Sequence, residues 1–354
     1  DSTTTAAVEF AEIAAAELWP RFRNRRRDLS DDNRARLRGF LTETVETAFR
    51  SSLDDETRKL YVDRQVDASE DDAEAIKRSL LISLKSPRFL YPLMDRGESV
   101  SQRAANRLSL TLHDSLPADA WLIKLARENR LDTEPRIRAA AQRMTRDYRT
   151  QAKTRAMLHA WLNLSHIGEI TKNAERFPDF DAELASDLKA SLDAFLDEVV
   201  WSEASDFREL LQADWAPTNE RLHAFYGPAW KPADKGQGLR KSVAASEQRM
   251  GLISHPYLMS GLAYPDSTSP IHRGVFVVRS LLGRFLKPPP IAVAPLDEGV
   301  DPTLTTRQRV MMQTSEPTCQ TCHSMINPLG FSFENYDAVG RFRDKEKAQP
   351  IDAS

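Results

Sequence analysis

Apolar residues recur every three or four positions through most of the chain, the spacing that lines one face of an α-helix. Leu37, Phe40, Leu41, Val45, Ala48 and Phe49 form one such stripe and predict a helix opening near Ser30. Ala73, Ile76, Leu80, Leu81 and Leu84 form a second, with Ser69 and Asp72 as its opening signal and Pro87 as its stop. Leu108, Leu112 and Leu116 precede a helix start at Pro117-Ala118-Asp119. Leu184, Leu188, Leu192, Phe195, Leu196 and Val199 form a further long stripe. After Gly227 the pattern changes. Residues 228–300 are richer in Gly, Pro and Ser, and Pro288-Pro289-Pro290 favours an extended polyproline backbone, read as a stiff spacer. The expected division is a small helical domain over 1–95, a helical bundle over 96–227, a Gly/Pro-rich connecting segment over 228–300 and a separate C-terminal region over 301–354. The expected fold class is mostly α, with at most minor strands.

Composition narrows the function more than the fold. At 354 residues the chain is long enough for two or three packed units. Lys and Arg total 49 against 52 Asp and Glu, a balance of −3 that argues against a nucleic-acid partner. The longest apolar runs, Leu80-Leu81-Ile82 and Val275-Phe276-Val277-Val278, fall far short of a membrane span. The basic run from Arg21 to Arg27 reads as a solvated helix end. Trp161, Trp201 and Trp215 read as core anchors, and His159, His166 and His223 as ordinary interior or surface histidines. Gly236-Gln237-Gly238 near Lys241 lacks the spacing of a phosphate loop, and neither G-x-S-x-G nor H-E-x-x-H occurs. No signal peptide is visible from Asp1 onward, which is compatible with a cytoplasmic chain or an exported one numbered after cleavage.

The two cysteines change this picture. Both fall in Cys319-Gln320-Thr321-Cys322-His323, and C-x-x-C-H is the attachment signature of c-type haem. Two thiols one helical turn apart reach the two vinyl groups of the porphyrin, and the adjacent His323 becomes the proximal iron ligand. Random placement of two cysteines and seven histidines gives this arrangement roughly once in ten thousand. The rival readings are a thioredoxin-like redox pair, which needs a βαβ context, and half a zinc site, which needs further soft ligands. Downstream, Asn327-Pro328-Leu329-Gly330 reads as a turn ending the attachment helix. Phe331, Phe333 and Tyr336 are candidate apolar walls for the porphyrin, and Arg341 and Arg343 candidate partners of its propionates. His255 is the first candidate for the sixth iron position, followed by Met259, His272, Met325, Met311 and Met312.

The run CQTCHSMINPLGFSFENYDAVGRFR (319–343) resembles the terminal region of the large c-type cytochrome-like proteins of Planctomycetes and myxobacteria. The segment GLISHPYLMSGLAYPDSTSPIHRGVFVVRSLLGRFLKPPP (251–290) is similar to the block preceding it in that family. Residues 101–227, with ANRLSLTLHDSLPADAWL, resemble its helical domain, and AFRSSLDDETRKLYVDRQV and SLKSPRFLY resemble its small N-terminal domain. Members usually continue past the equivalent of Pro350–Ser354, and many carry an upstream cytochrome domain.

Together these readings imply a helical bundle followed by a cytochrome c-like region carrying one covalent haem c. The chain would then be periplasmic or at the cell surface, because bacterial cytochrome c assembly occurs outside the cytoplasmic membrane. The leading expectation is electron transfer with an unidentified redox partner protein, or within an extracytoplasmic complex. The alternatives are a haem enzyme, peroxidase-like or an oxidoreductase on an extracellular substrate, and a scaffold subunit in which haem stabilises the fold.

Overall fold

The computed structural model describes residues 2–25, 32–91, 99–232, 237–244, 248–287, 301 and 303–354. Ser30, Arg26, Arg27, Gly236 and the polyproline strip 288–290 lie outside them. The chain is mostly α with a few short strands, and it folds as two compact units, Asp1–Lys153 and Thr154–Ser354.

The first unit opens with α1 (Ser2–Ile13), a π turn over Ala14–Leu18 and α2 (Trp19–Arg25), followed by α3 (Asn33–Phe49). All six residues of the first stripe are buried in α3. Its cap is Asp32, whose carboxylate accepts the Arg34 N–H at 3.0 Å. Trp19 and Phe22 pack on Phe40 with ring centres 5.6 and 5.3 Å away.

Helix α4 (Asp72–Leu84) is capped by Asp71 rather than Ser69, and its buried face is turned from the expected one. Ala75, Ile76, Ser79, Leu80 and Ser83 are buried, whereas Ala73 is exposed and Leu81 and Leu84 are half-buried. The serines tolerate burial because their hydroxyls donate to the Tyr61 and Ser79 carbonyls, each at 2.7 Å. Pro87 starts a helical turn capped by Ser86 instead of merely stopping the previous one.

Helices α5 (Val100–His113), α6 (Ala120–Arg127) and α7 (Glu134–Met144) enclose a small core of Ala105, Leu122, Ala126, Leu131, Ala140 and Met144. Asp119 precedes α6 as expected, but its carboxylate takes the Arg149 guanidinium at 2.9 and 3.0 Å instead of capping the helix. The division between the units falls within α8 (Tyr148–Trp161).

In the second unit α9 (Ala182–Trp201) buries its entire expected stripe against a large core that includes Trp215, Phe225, Leu258 and Val339. Three short antiparallel strands, β1 (Trp215–Thr218), β2 (Trp230–Pro232) and β3 (Arg240–Ala244), form a sheet in the order β1-β3-β2, with α10 (Glu220–Tyr226) after β1. Then come α11 (Pro256–Gly261), α12 (Pro270–Phe276) with a π turn over Val277–Leu281, α13 (Thr306–Gln313) and α14 (Pro317–Phe331). No helix among the described residues is long and apolar enough to cross a membrane.

Candidate haem-attachment site

Helix α14 begins with Pro317 at its first position, where the missing N–H costs nothing, and its first two turns carry the cysteine motif. Cys319 and Cys322 are free, half-buried thiols three residues apart. Cys322 packs in an apolar cluster with Val278, Leu286 and Ile326, flanked by Ile271, Val275 and Leu329. Residues from α12 and the segment after it therefore supply this apolar surface. Periodicity alone did not mark them for the site, although Ile271, Val275 and Val278 lie at helical spacing.

Asn327-Pro328-Leu329-Gly330 is no turn. The helix runs through Pro328 to Phe331, despite the hydrogen bond that a proline removes. Tertiary packing overrides the local signal. A Cβ on Gly330 would lie 1.9 Å from the Pro270 carbonyl oxygen, and one on Gly274 would lie 2.2 Å from that of Ile326. Two glycines thus let the backbones of α12 and α14 touch, and this crossing holds the cysteine-bearing helix.

His323 points its Nδ1 at Asn327 Oδ1, 2.9 Å away and one helical turn on. The Asn327 amide in turn donates to Thr314 Oγ1 at 2.8 Å, and the Thr314 hydroxyl donates to the Val310 carbonyl at 2.8 Å. Nε2, which has no hydrogen-bond partner among the described residues, is the nitrogen that a haem iron requires. Among the described residues no three His, Cys, Asp or Glu side chains converge as a metal cage. Two thiols, one oriented imidazole and an apolar flank suit a covalent haem better than a zinc ion.

The other expected pocket residues serve the fold. Phe331 is buried beneath the Arg307 guanidinium, 4.7 Å from its ring centre. Phe333 and Tyr336 turn to the large core rather than to the Cys322 cluster, and Tyr336 donates its hydroxyl to the Gln248 carbonyl. The Arg341 guanidinium lies 3.8 Å from the Phe225 ring centre and donates to the Phe225 carbonyl. Arg343 donates to the Glu334 carbonyl at 3.2 Å and pairs with its carboxylate at 3.4 Å. Both arginines brace the chain after α14 instead of standing ready for propionates.

His255 is 2 % exposed and belongs to a different environment. As the cap of α11, its Nδ1 accepts the Tyr257 N–H at 3.2 Å, so Nε2 carries the proton and meets Ser191 Oγ at 3.2 Å. Ser191 passes its own hydrogen to the Pro217 carbonyl. Both ring nitrogens are engaged, which removes His255 from the iron-ligand set in this fold. Met259 is buried in the large core, and the His272 ring packs on Tyr264 at 5.2 Å. Met311, Met312 and Met325 are exposed.

Burial, reinforced by Arg249, pushes the His255 pKa down to about 3 from an ordinary 6.5. Because the folded value lies below the unfolded one, the cost of charging is absent above pH 6.5 and grows as pH falls toward 3. It reaches about 3 kcal/mol by pH 4.5. His255→Asn retains a capping acceptor, so its denaturation midpoint should fall less steeply than that of the wild type between pH 6.5 and 4.5. Parallel profiles would refute this assignment.

Comparison with known proteins gives two matches. Residues 101–227 match the family PSD4, described as a protein of unknown function (DUF1592). Residues 249–346 match PSCyt3, described as a protein of unknown function (DUF1588). No curated protein and no solved structure matches. The matched blocks coincide with the 101–227 stretch and include the whole of the 251–290 and 319–343 stretches on which the sequence resemblance rests. Each of these two stretches is thus similar to one family, and the glycine crossing of α12 and α14, with Cys319, Cys322 and His323, lies inside the stretch that matches DUF1588.

Proposed function

We propose that the C-terminal unit is a c-type cytochrome centre that exchanges electrons with a redox partner outside the cytoplasm. The observation that carries this reading is the C-x-x-C-H motif on one half-exposed helical face, with the His323 Nδ1 already engaged. Cys319 and Cys322 each add sulfur and hydrogen across one vinyl group, forming thioethers without net oxidation or reduction. His323 binds through Nε2 while Asn327 holds its other nitrogen. Bound haem supplies a one-electron iron couple. Cys319, Cys322 and His323 are half-buried, so a group held by them would be within reach of the surface, as transfer between proteins requires. The extracytoplasmic location follows from where bacteria carry out this attachment.

The test is export of the chain in a host that matures c-type cytochromes, followed by a pyridine haemochrome assay and oxidised and reduced spectra. One covalent haem, sharp reduced bands and no response to carbon monoxide are expected. Cys322→Ala should lose one thioether and shift the haemochrome band, and Cys319→Ala/Cys322→Ala should lose covalent haem entirely. A wild-type chain without covalent haem overturns the proposal. The removal of His255 from the ligand set favours a second reading, a haem enzyme with an open sixth position. A high-spin ferric spectrum that responds to carbon monoxide or peroxide would select it.

A further inference from the structure

The hydrogen bonds behind His323 form a chain whose direction is fixed at its far end. A backbone carbonyl can only accept, so the bond at Val310 obliges the Thr314 hydroxyl to donate. The Thr314 oxygen must therefore accept at its other contact, and only the NH₂ side of the Asn327 amide can donate there. That orientation leaves Asn327 Oδ1, purely an acceptor, facing His323 Nδ1. The proton must then sit on Nδ1, leaving the Nε2 lone pair free.

Asn327 and Thr314 are 6 % and 4 % exposed, so water offers little competition for these bonds. The Gln320 amide clamps the relay from outside by donating to the Thr314 carbonyl. The turn between α13 and α14 thus positions a tautomer as well as a helix.

We propose that Asn327 is the positioning residue for His323, and that the Val310–Thr314–Asn327 relay sets both its free nitrogen and its donor strength. The tautomer belongs to the chain itself. The effect on donor strength rests on the cytochrome reading. A neutral amide accepts the Nδ1 hydrogen more weakly than a carboxylate would, so the imidazole keeps little imidazolate character. Asn327→Asp should strengthen the bond, favour ferric iron and lower the reduction potential. Asn327→Leu should do the reverse.

The first measurement is long-range ¹⁵N–¹H NMR of the haem-free full chain at pH 8. The wild type should show His323 as the Nδ1–H form. Asn327→Leu and Thr314→Val, each checked for native chemical-shift dispersion, should move it toward Nε2–H. An unchanged tautomer in both folded variants overturns the relay. The second is the potential of the haem-loaded chain. Asn327→Asp should shift the reduction equilibrium by about tenfold, some 59 mV for one electron. Equal potentials in wild type, Asn327→Asp and Asn327→Leu overturn the tuning role. If the wild type takes up no haem, the cytochrome reading falls, and the NMR result still decides the relay.

Discussion

Arg273→Met is expected to destabilise the C-terminal unit by about 3–5 kcal/mol, read from the urea midpoint of the intact chain. Arg273 is fully buried and donates to four backbone carbonyls, those of Phe333, Tyr336, Met259 and Asp337, at 2.7–3.1 Å. It also pairs with Glu334 at 3.7 Å. Methionine fills much of the volume but leaves those carbonyls without their donor and the Glu334 carboxylate with Arg343 alone. Burial already raises the Glu334 pKa, against the pull of Arg273 and Arg343. Loss of Arg273 raises it further. A carboxyl whose folded pKa lies above its unfolded one contributes stability at low pH and loses it as pH rises through the folded value. The deficit of Arg273→Met should therefore be larger at pH 8 than at pH 5, and Glu334→Gln in the same chain should narrow that difference. A deficit independent of pH would mean that the carbonyls, not the ion pair, account for the loss.

Gly330→Ala is expected to cost about 3 kcal/mol or more, roughly 10 °C in Tm for a unit of this size. The added Cβ would meet the Pro270 carbonyl oxygen at 1.9 Å and its carbon at 2.6 Å, both backbone atoms that move only if the helices part. Ser324→Ala, at an exposed position on the same helix, should stay within about 0.5 kcal/mol of wild type. Parting the helices also loosens the Val278, Leu286 and Ile326 cluster against which Cys322 packs, so thiol accessibility to a labelling reagent should rise in Gly330→Ala. A stable variant with unchanged labelling would mean that α12 and α14 are not held by this contact.

Much of the fold was legible because burial follows periodicity wherever a helix packs one apolar face. The stripes of α3 and α9 are buried residue for residue. In α4 the reading slipped, since Ser79 and Ser83 are polar by type yet satisfied by carbonyls within reach. Pro328 misled for the complementary reason. Its local cost was visible in the sequence, whereas the glycine crossing that outweighs it joins residues more than fifty positions apart.

The cysteine motif was legible because its chemistry is encoded in adjacent residues. Its surroundings were not. Arg341, Arg343 and Tyr336 have the right chemistry for a haem pocket, but residues 225, 334 and 248 claim them first. Arg273 carried no signal at all, because a buried cation looks like any surface arginine until its acceptors are known. Asn327 could have been found, since it stands four residues beyond His323 on a helix and is therefore its neighbour.

Three of the four carbonyls collected by Arg273 belong to residues 60, 63 and 64 positions later in the chain. A ribosome delivers the guanidinium well before its acceptors. Until residues 333–337 emerge, burying that cation would strand it, so the early helices of this unit have reason to remain open. Closure of the C-terminal unit is thereby tied to the emergence of residues 333–337, and the cysteine-bearing helix completes its packing only once they are out.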